Sequence, residues 1–215
     1  MSAVGGRRPP APRRTRRLPW REASYAALDF ETTGLDYAVD HIVSYGLVPI
    51  DDGRVRLGGS HQQLIRPPTA PSPRSQTVHL LRPIDLVDAP DAASAAGALR
   101  GSLSGRIVLA WFAQVEIAFL RGLYGGSEAW WRRRVIDVRD LAIAVDEAPR
   151  AARTARGYGL GATADRYGVP VANPHDALDD ALVTAQLFVV LVEKVPGLAA
   201  PTVRDLIRLS SPGYR

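Results

Sequence analysis

The chain has 215 residues, 46% of them hydrophobic, no cysteine, and a formal net charge of +5. That length and apolar content suffice for one substantial core, and no shift in composition after residue 24 marks a second domain. Without cysteine there is neither a disulfide framework nor a thiolate metal site, so any metal must be held by oxygen or imidazole, which favours hard cations. No stretch reaches the roughly 18 apolar residues of a membrane span and no apolar signal core opens the chain, which predicts a cytoplasmic protein with no membrane partner.

Residues 1–21 hold seven arginines and no acid. The remainder therefore carries −2, the whole-chain +5 less those seven. Pro9, Pro10, Pro12 and Pro19 break this segment, so it is expected to be a disordered tail that either holds nucleic-acid phosphates electrostatically or serves as a passive leader. Residues 22–195 are expected to form the folded domain, and 196–215 a short extension with a helix over 201–209. The apolar run 25–31 reads as a buried strand. Residues 42–50 read as a second, and the Asp51-Asp52-Gly53 turn leads into a third over 54–65, an antiparallel meander. Further on, 91–103 is Ala-rich and helical, 106–110 is a strand, 115–124 has helical periodicity and 135–138 is a short strand. Helices between these later strands imply parallel crossovers. Gly157, Gly159 and Gly161 look like a dinucleotide loop, but the third glycine is misplaced and no strand leads in, so they are read as a helix start. Ala177–Val192 is a long apolar helix, stopped near Pro196.

Two local patterns carry chemistry. Asp29 and Glu31 are spaced i, i+2 on the first strand, so both project from one face while Phe30 packs on the other. Adjacent carboxylates repel unless a cation compensates them, and a divalent metal site is the economical reading; a solvated acidic turn is the alternative. The second pattern, His175-Asp-Ala-Leu-Asp-Asp180-Ala, opens the long helix, with His175 at its N-terminus and Asp180 in its first turns.

The sequences DxETTG at 29–34 and HxAxxDA at 175–181 together resemble the signature of the DnaQ-like, or DEDDh, 3′→5′ exonucleases, a family that includes the proofreading epsilon subunit of bacterial DNA polymerase III. The resemblance runs from about residue 24 to 195. It takes in His79 with Pro83-Ile-Asp85 after the third strand, the segment 108–120, and Val135-Ile-Asp137 with 158–168. It implies an α/β, ribonuclease H-like fold, a mixed five-stranded sheet flanked by helices. It also implies two divalent cations, Mg²⁺ or Mn²⁺, with Asp29 bridging both, Glu31 and Asp180 on the water-activating one, and Glu116 completing the cluster. His175 would be the general base, since imidazole titrates near neutrality. Thr32, Thr33 and Gly34 would lie against the terminal nucleotide. The substrate would be nucleic acid with a 3′ end, and a polymerase partner is compatible with the resemblance. Single-stranded DNA is the preferred reading. RNA ends, as for ribonuclease T and oligoribonuclease, stay open because no motif reports the sugar 2′ position. A catalytically weakened binding module is a third reading, disfavoured because all four acids and the histidine are filled. The short C-terminal extension makes a stand-alone role at least as good as a tethered one.

The chain departs from the family pattern in its second motif. The usual His-Asn-Ala-x-Phe-Asp reads Trp111-Phe112-Ala113-Gln114-Val115-Glu116 here, so the acid is one methylene longer. Trp111 and Phe112 are candidates for stacking on a base, with core filling the alternative for at least one of them. The segment Trp130-Trp131-Arg132-Arg133-Arg134 suits a backbone-binding edge, or else is an amphipathic helix end. Asp137 is expected to cap the helix that follows it, Asp176 and Asp179 to be helix-start charges, and His41, His61 and His79 to be ordinary surface or core histidines.

Overall fold

The apolar run at the front of the domain forms β1 (Tyr25–Thr32), whose first four residues are buried. β2 (Ile42–Asp51) lies antiparallel to it along its whole length, with Leu28 opposite Leu47, Asp29 opposite Gly46 and an irregularity between Glu31 and Thr32. In the computed structural model, which describes Arg8, Pro9 and residues 15–148 and 157–211, the sheet has six strands rather than the expected five. The expected third strand is two short pieces, β3 (Arg54–Val55) and β4 (His61–Leu64), both antiparallel to β2. A 3₁₀ turn at Leu57–Gly59 separates them, because two consecutive glycines cost too much backbone entropy to hold an extended ladder. β5 (Ile107–Ala110) pairs parallel with β1, and β6 (Val135–Asp137) parallel with β5, giving the order β3-β2-β1-β5-β6 with β4 also on β2.

Eight α-helices complete the described residues: α1 (Pro73–His79), α2 (Ala92–Ser102), α3 (Gln114–Tyr124), α4 (Glu128–Arg132), α5 (Val138–Val145), α6 (Leu160–Tyr167), α7 (Ala177–Val192) and α8 (Val203–Leu209). The pleat divides the core in two. Ala26, Leu28 and Phe30 face one way, into a layer with Ala95, Leu99, Ile117 and Leu120 of α2 and α3. Tyr25 and Ala27 face the other, against α5 to α8. Asp29 and Glu31 continue that second face, so the acids look toward α7, as the period-two reading expects.

Helix α7 is apolar almost all round because it lies between the sheet and α5 and α6. Ala177, Ala181 and Ala185, at i, i+4 and i+8, are fully buried, and such a stripe of small side chains lets the helix approach the sheet closely. Leu187, Phe188 and Leu191 fill the rest, each contributing about 1.5–3 kcal/mol of burial free energy.

The sequence boundary at residue 22 is corrected by the structure. Residues Thr15–Arg17 and Trp20–Glu22 form 3₁₀ turns, and Trp20 is buried edge-on to Phe188 at 6.0 Å. Its backbone N–H donates to the Pro201 carbonyl, while the Leu18 carbonyl accepts from Val203 N–H at the start of α8. One indole ring placed opposite a capped C-terminal helix outweighs the polar composition around it. Apart from Arg8 and Pro9, the expectation for residues 1–14 lies outside the described residues.

Candidate active site

Asp29 and Glu31 end β1, and Asp180 reaches them from the first turn of α7. One carboxylate oxygen from each lies within 4.8 Å of the others. The device that permits this is Gly46, directly opposite Asp29 on β2. A β-carbon there would fall 2.0 Å from the Ala177 carbonyl oxygen and 2.4 Å from Leu178 N, so only glycine lets the start of α7 rest on the sheet at this point. Asp176 caps the helix, accepting from Leu178 and Asp179 N–H, and Asp179 accepts from the backbone and side chain of Asn173. Both are the helix-start charges expected of them.

Glu116 stands in the first turn of α3. Its side chain is buried to 3% exposure, and Oε2 has no hydrogen-bond partner among the described residues. Burial raises its pKa well above the ordinary carboxylate value, and the charge of Asp29 raises it further; among the described residues the oxygens that lie within 4.8 Å of one another are those of Asp29, Glu31 and Asp180, without Glu116. Asp137 fixes the turn that carries it. Oδ1 caps α5 through Asp140 N–H at 3.1 Å, and Oδ2 accepts from Ala113 N–H at 2.8 Å, just before α3. Both oxygens of Asp137 are thus engaged in capping, and burial followed by the charge of Asp140 lifts its pKa to about 7.

The cluster is electrostatically frustrated without a cation. Burial pushes Glu31 up to about 9, with Asp29 and Asp180 adding repulsion. Asp29 is raised by burial and then by Asp180 and Asp176; Asp180 is raised by burial, moderated by the His175 N–H at 3.2 Å and the nearby imidazole. A partnerless buried carboxylate oxygen beside three converging carboxylates is the donor set that hard divalent cations require. His175 itself is exposed and sits in the left-handed region with φ 66°, preceding the cap rather than serving as one.

Thr32 and Thr33 are buried, and their hydroxyls hold the turn: Thr32 Oγ1 donates to the Gly34 carbonyl and Thr33 Oγ1 to Asp40. Gly34 leaves room for the Asp40 side chain. A β-carbon would lie 2.4 Å from Asp40 Oδ2, the carboxylate that also accepts from Asp36 N–H. Trp111 is half-buried against the α7-side core, which fits core filling. Phe112 is 45% exposed at φ 60°, with the Arg139 guanidinium 5.4 Å from its ring centroid. Beside Glu31 opens a cleft of about 420 Å³ lined by Thr32, Gly34, Leu35, Arg74, Val115 and His79. Leu35 is 69% exposed at its edge. His79, buried as a core histidine, also lies on this wall. Its Nδ1 accepts from Leu81 N–H, and burial lowers its pKa, opposed by interaction with the Thr32 backbone. Its sequence signal was its position at the end of α1, a helix that a Pro-rich context concealed.

The sequence model of the RNase_T family, described as exonuclease, matches residues 26–188 and so contains the four acids and His175. The chain belongs to the RNase_T exonuclease family. Among curated relatives, it is 30% identical over 191 residues to a PolC-type DNA polymerase III of Thermotoga petrophila, covering 88% of this chain and 13% of that protein. To the 3′-5′ exonuclease DinG of Staphylococcus aureus it is 26% identical over 189 residues, covering 87% of this chain and 20% of the relative. The chain thus spans between about an eighth and a fifth of the length of these relatives. Among solved structures, exonuclease X in complex with 5′-overhanging duplex DNA superposes with a TM-score of 0.62 at 21% identity, over 85% of this chain and 99% of that one. The nuclease domain of 3′hExo, a DEDDh family member bound to rAMP, gives 0.67 at 15% identity, over 86% and 98%. The Escherichia coli ExoI–ssDNA complex gives 0.67 at 18%, over 82% and 42%. These likenesses establish the ribonuclease H-like exonuclease fold.

Proposed function

We propose that this exonuclease domain removes nucleotides one at a time from the 3′ end of single-stranded DNA by metal-dependent phosphodiester hydrolysis. The observation that carries the reading is the convergence of Asp29, Glu31 and Asp180, from two distant segments, with the buried, unpartnered Glu116 carboxylate close enough to feel the charge of Asp29 and Glu31. Asp29, Glu31, Asp180 and Glu116 would hold two divalent cations, Mg²⁺ or Mn²⁺. When bound, such a pair neutralises the phosphate, acidifies a water and relieves charge on the leaving oxygen.

The chain's own groups supply the rest. The cleft beside Glu31 receives the terminal nucleotide, with the Thr32–Gly34 turn held rigid by Asp40 and Leu35 offering an apolar edge to a base. Arg74 at its wall offers a guanidinium to a phosphate. His175, exposed and next to Asp180, takes the proton from the attacking water as its oxygen bonds to phosphorus. The bond from phosphorus to the 3′ oxygen breaks, that oxygen takes up a proton, and a 5′-mononucleotide leaves. Similarity to a PolC-type polymerase supports DNA over RNA and is compatible with a polymerase partner. Among the described residues no helix is long and apolar enough to cross a membrane.

The test is degradation of end-labelled single-stranded DNA, duplex DNA and RNA side by side with Mg²⁺ or Mn²⁺. The expected result is stepwise shortening of single-stranded DNA from its 3′ end. Preferential shortening of RNA would replace the substrate, and no shortening of any of the three would remove the activity.

A further inference from the structure

One strained residue stands at the same edge of the sheet as the acids. Phe112, in the turn between β5 and α3, has φ 60°, a left-handed conformation that is a genuine outlier for a bulky side chain. Its ring returns little to the core for that strain, since it is 45% exposed while its neighbour Trp111 packs inward. Such strain persists only where the surroundings impose it, and it gathers at binding sites. Here Ala113 N–H donates to Asp137 Oδ2 at 2.8 Å, Val115 N–H to the Phe112 carbonyl at 3.2 Å, and Ile117 N–H to the Ala113 carbonyl at 2.9 Å, which fixes the turn. The Arg139 guanidinium lies 5.4 Å from the ring centroid, itself 3.7 Å from Asp140 Oδ1 and only 15% exposed. The cation occupies one face of the ring, which leaves the opposite face for a second planar group.

Register places this ring beside the acids. β5 runs parallel to β1 with Leu109 opposite Ala27, and β6 parallel to β5 with Asp137 opposite Ala110, so all three strands end at one edge. Trp111 and Phe112 follow Leu109 as Asp29 and Phe30 follow Ala27, and the turn therefore leaves the sheet level with the acids, one strand spacing of about 4.8 Å away. The face agrees as well as the edge. Ile107 and Leu109 share with Tyr25 and Ala27 the layer under α5 to α8, the face that Asp29 and Glu31 continue, and Arg139 belongs to the first turn of α5, which packs on α7. Val115, at the far end of the same turn, lines the cleft beside Glu31 and packs into the opposite layer. The turn thus gives Val115 to the cleft and Phe112 to the side of the acids away from it.

We infer that Phe112, backed by Arg139, is a stacking platform for the base of the penultimate nucleotide of the substrate strand. The inference rests on the exonuclease reading above. With the terminal nucleotide in the cleft and the scissile phosphate at the acids, the next base lies beyond them, on the Phe112 side. Every base has a π-face, so the contact favours no sequence and suits a single strand, whose bases are unpaired.

The test is Phe112→Asn, because asparagine enters the left-handed region readily and so keeps the turn while removing the ring. Turnover with Mg²⁺ is measured on a short single-stranded oligonucleotide and on the same oligonucleotide with an abasic tetrahydrofuran residue at either the penultimate or the terminal position. On intact DNA, kcat/KM for the first cleavage should fall about 5- to 150-fold, the loss of one stacked base, while Tm stays equal to that of the wild type or rises as strain is relieved. On the penultimate-abasic strand the two proteins should be equal, since the ring has no base to meet; the terminal-abasic strand should keep the difference. Phe112→Tyr should restore the rate on intact DNA. Wild-type kcat/KM in Phe112→Asn overturns the proposal, as does a loss that persists undiminished when the penultimate base is absent, or one cancelled by the terminal abasic residue instead. The same comparison run as binding, by fluorescence anisotropy in EDTA, needs no turnover. A wild type that cleaves none of these strands counts against the exonuclease reading, while the binding comparison still decides the contact.

Discussion

Replacing Gly46 by Ala adds one methyl group and removes no charged or hydrogen-bonding side chain, yet it should disable the site. The new β-carbon would stand 2.0 Å from the Ala177 carbonyl oxygen and 2.2 Å from its carbon. Ordinary contact begins near 3.4 Å, so the first turn of α7 must lift by more than 1 Å, and both offending atoms are backbone, which cannot rotate aside. Overpacking of this kind costs about 1–3 kcal/mol or more. For a domain of this length that lowers Tm by about 2–12 °C at 2–4 °C per kcal/mol. The larger consequence is geometric. Asp180 rides on that turn, and a displacement of about 1 Å from productive geometry can cost about 10²-fold in rate. Thermal denaturation and Mg²⁺-dependent turnover on single-stranded DNA, measured on the same preparation, check both parts. A folded Gly46→Ala protein with wild-type turnover and Tm would refute the claim that Gly46 seats α7.

Glu116→Gln should lose far more activity than Glu116→Asp, because the buried unpartnered oxygen contributes charge rather than reach; wild-type turnover in Glu116→Gln would remove it from the site. His175→Ala should bind divalent metal nearly as well as the wild type while turnover falls about 10² to 10⁴-fold, and equal rates from pH 6 to 9 would exclude it as the base. In metal-free buffer, stability should fall as pH rises from about 4 to about 9. Native Glu31, with its pKa at about 9, retains a proton that the unfolded chain has already released. The fall should be smaller in Glu31→Gln. A cation present at 100 times its Kd should reverse this by about 2.7 kcal/mol, about 5 to 11 °C in Tm, and a Tm indifferent to Mg²⁺ at pH 8 would contradict the metal site.

Much of the site was legible because its signals are local. The i, i+2 spacing of Asp29 and Glu31 fixes their face once 25–31 is a strand, and a capped helix from 177 places Asp180 on its first turn. The long α7, β5 and α3 followed from apolar runs that match one period. What was not legible depends on contacts between remote segments. Nothing near Gly46 announces that Ala177 will press against it, although a glycine inside an otherwise bulky strand is the hint. The internal bonds of the Thr32–Gly34 turn were not legible either: Asp40 accepts from the Thr33 hydroxyl and the Gly34 carbonyl from that of Thr32, both partners fixed only by the folded turn. Residues 15–21 read as tail because composition counts arginines and prolines but not the single indole that docks on Phe188. The third strand broke at Gly58-Gly59, and α1, seven residues amid prolines, gave too short a periodicity to register.

Whether the acid cluster drives metal-dependent hydrolysis from a 3′ end is decided by a time course on a 5′-labelled single-stranded oligonucleotide with Mg²⁺ or Mn²⁺, run for the wild type and for Asp29→Asn. Asp29 converges with Glu31 and Asp180, and the amide keeps its shape while removing the charge. The wild type should give a ladder of products shortened singly from the 3′ end, abolished by EDTA and reduced by orders of magnitude in Asp29→Asn, with the fold retained. A full ladder from Asp29→Asn at the wild-type rate would contradict the assignment of the cluster as the catalytic metal site.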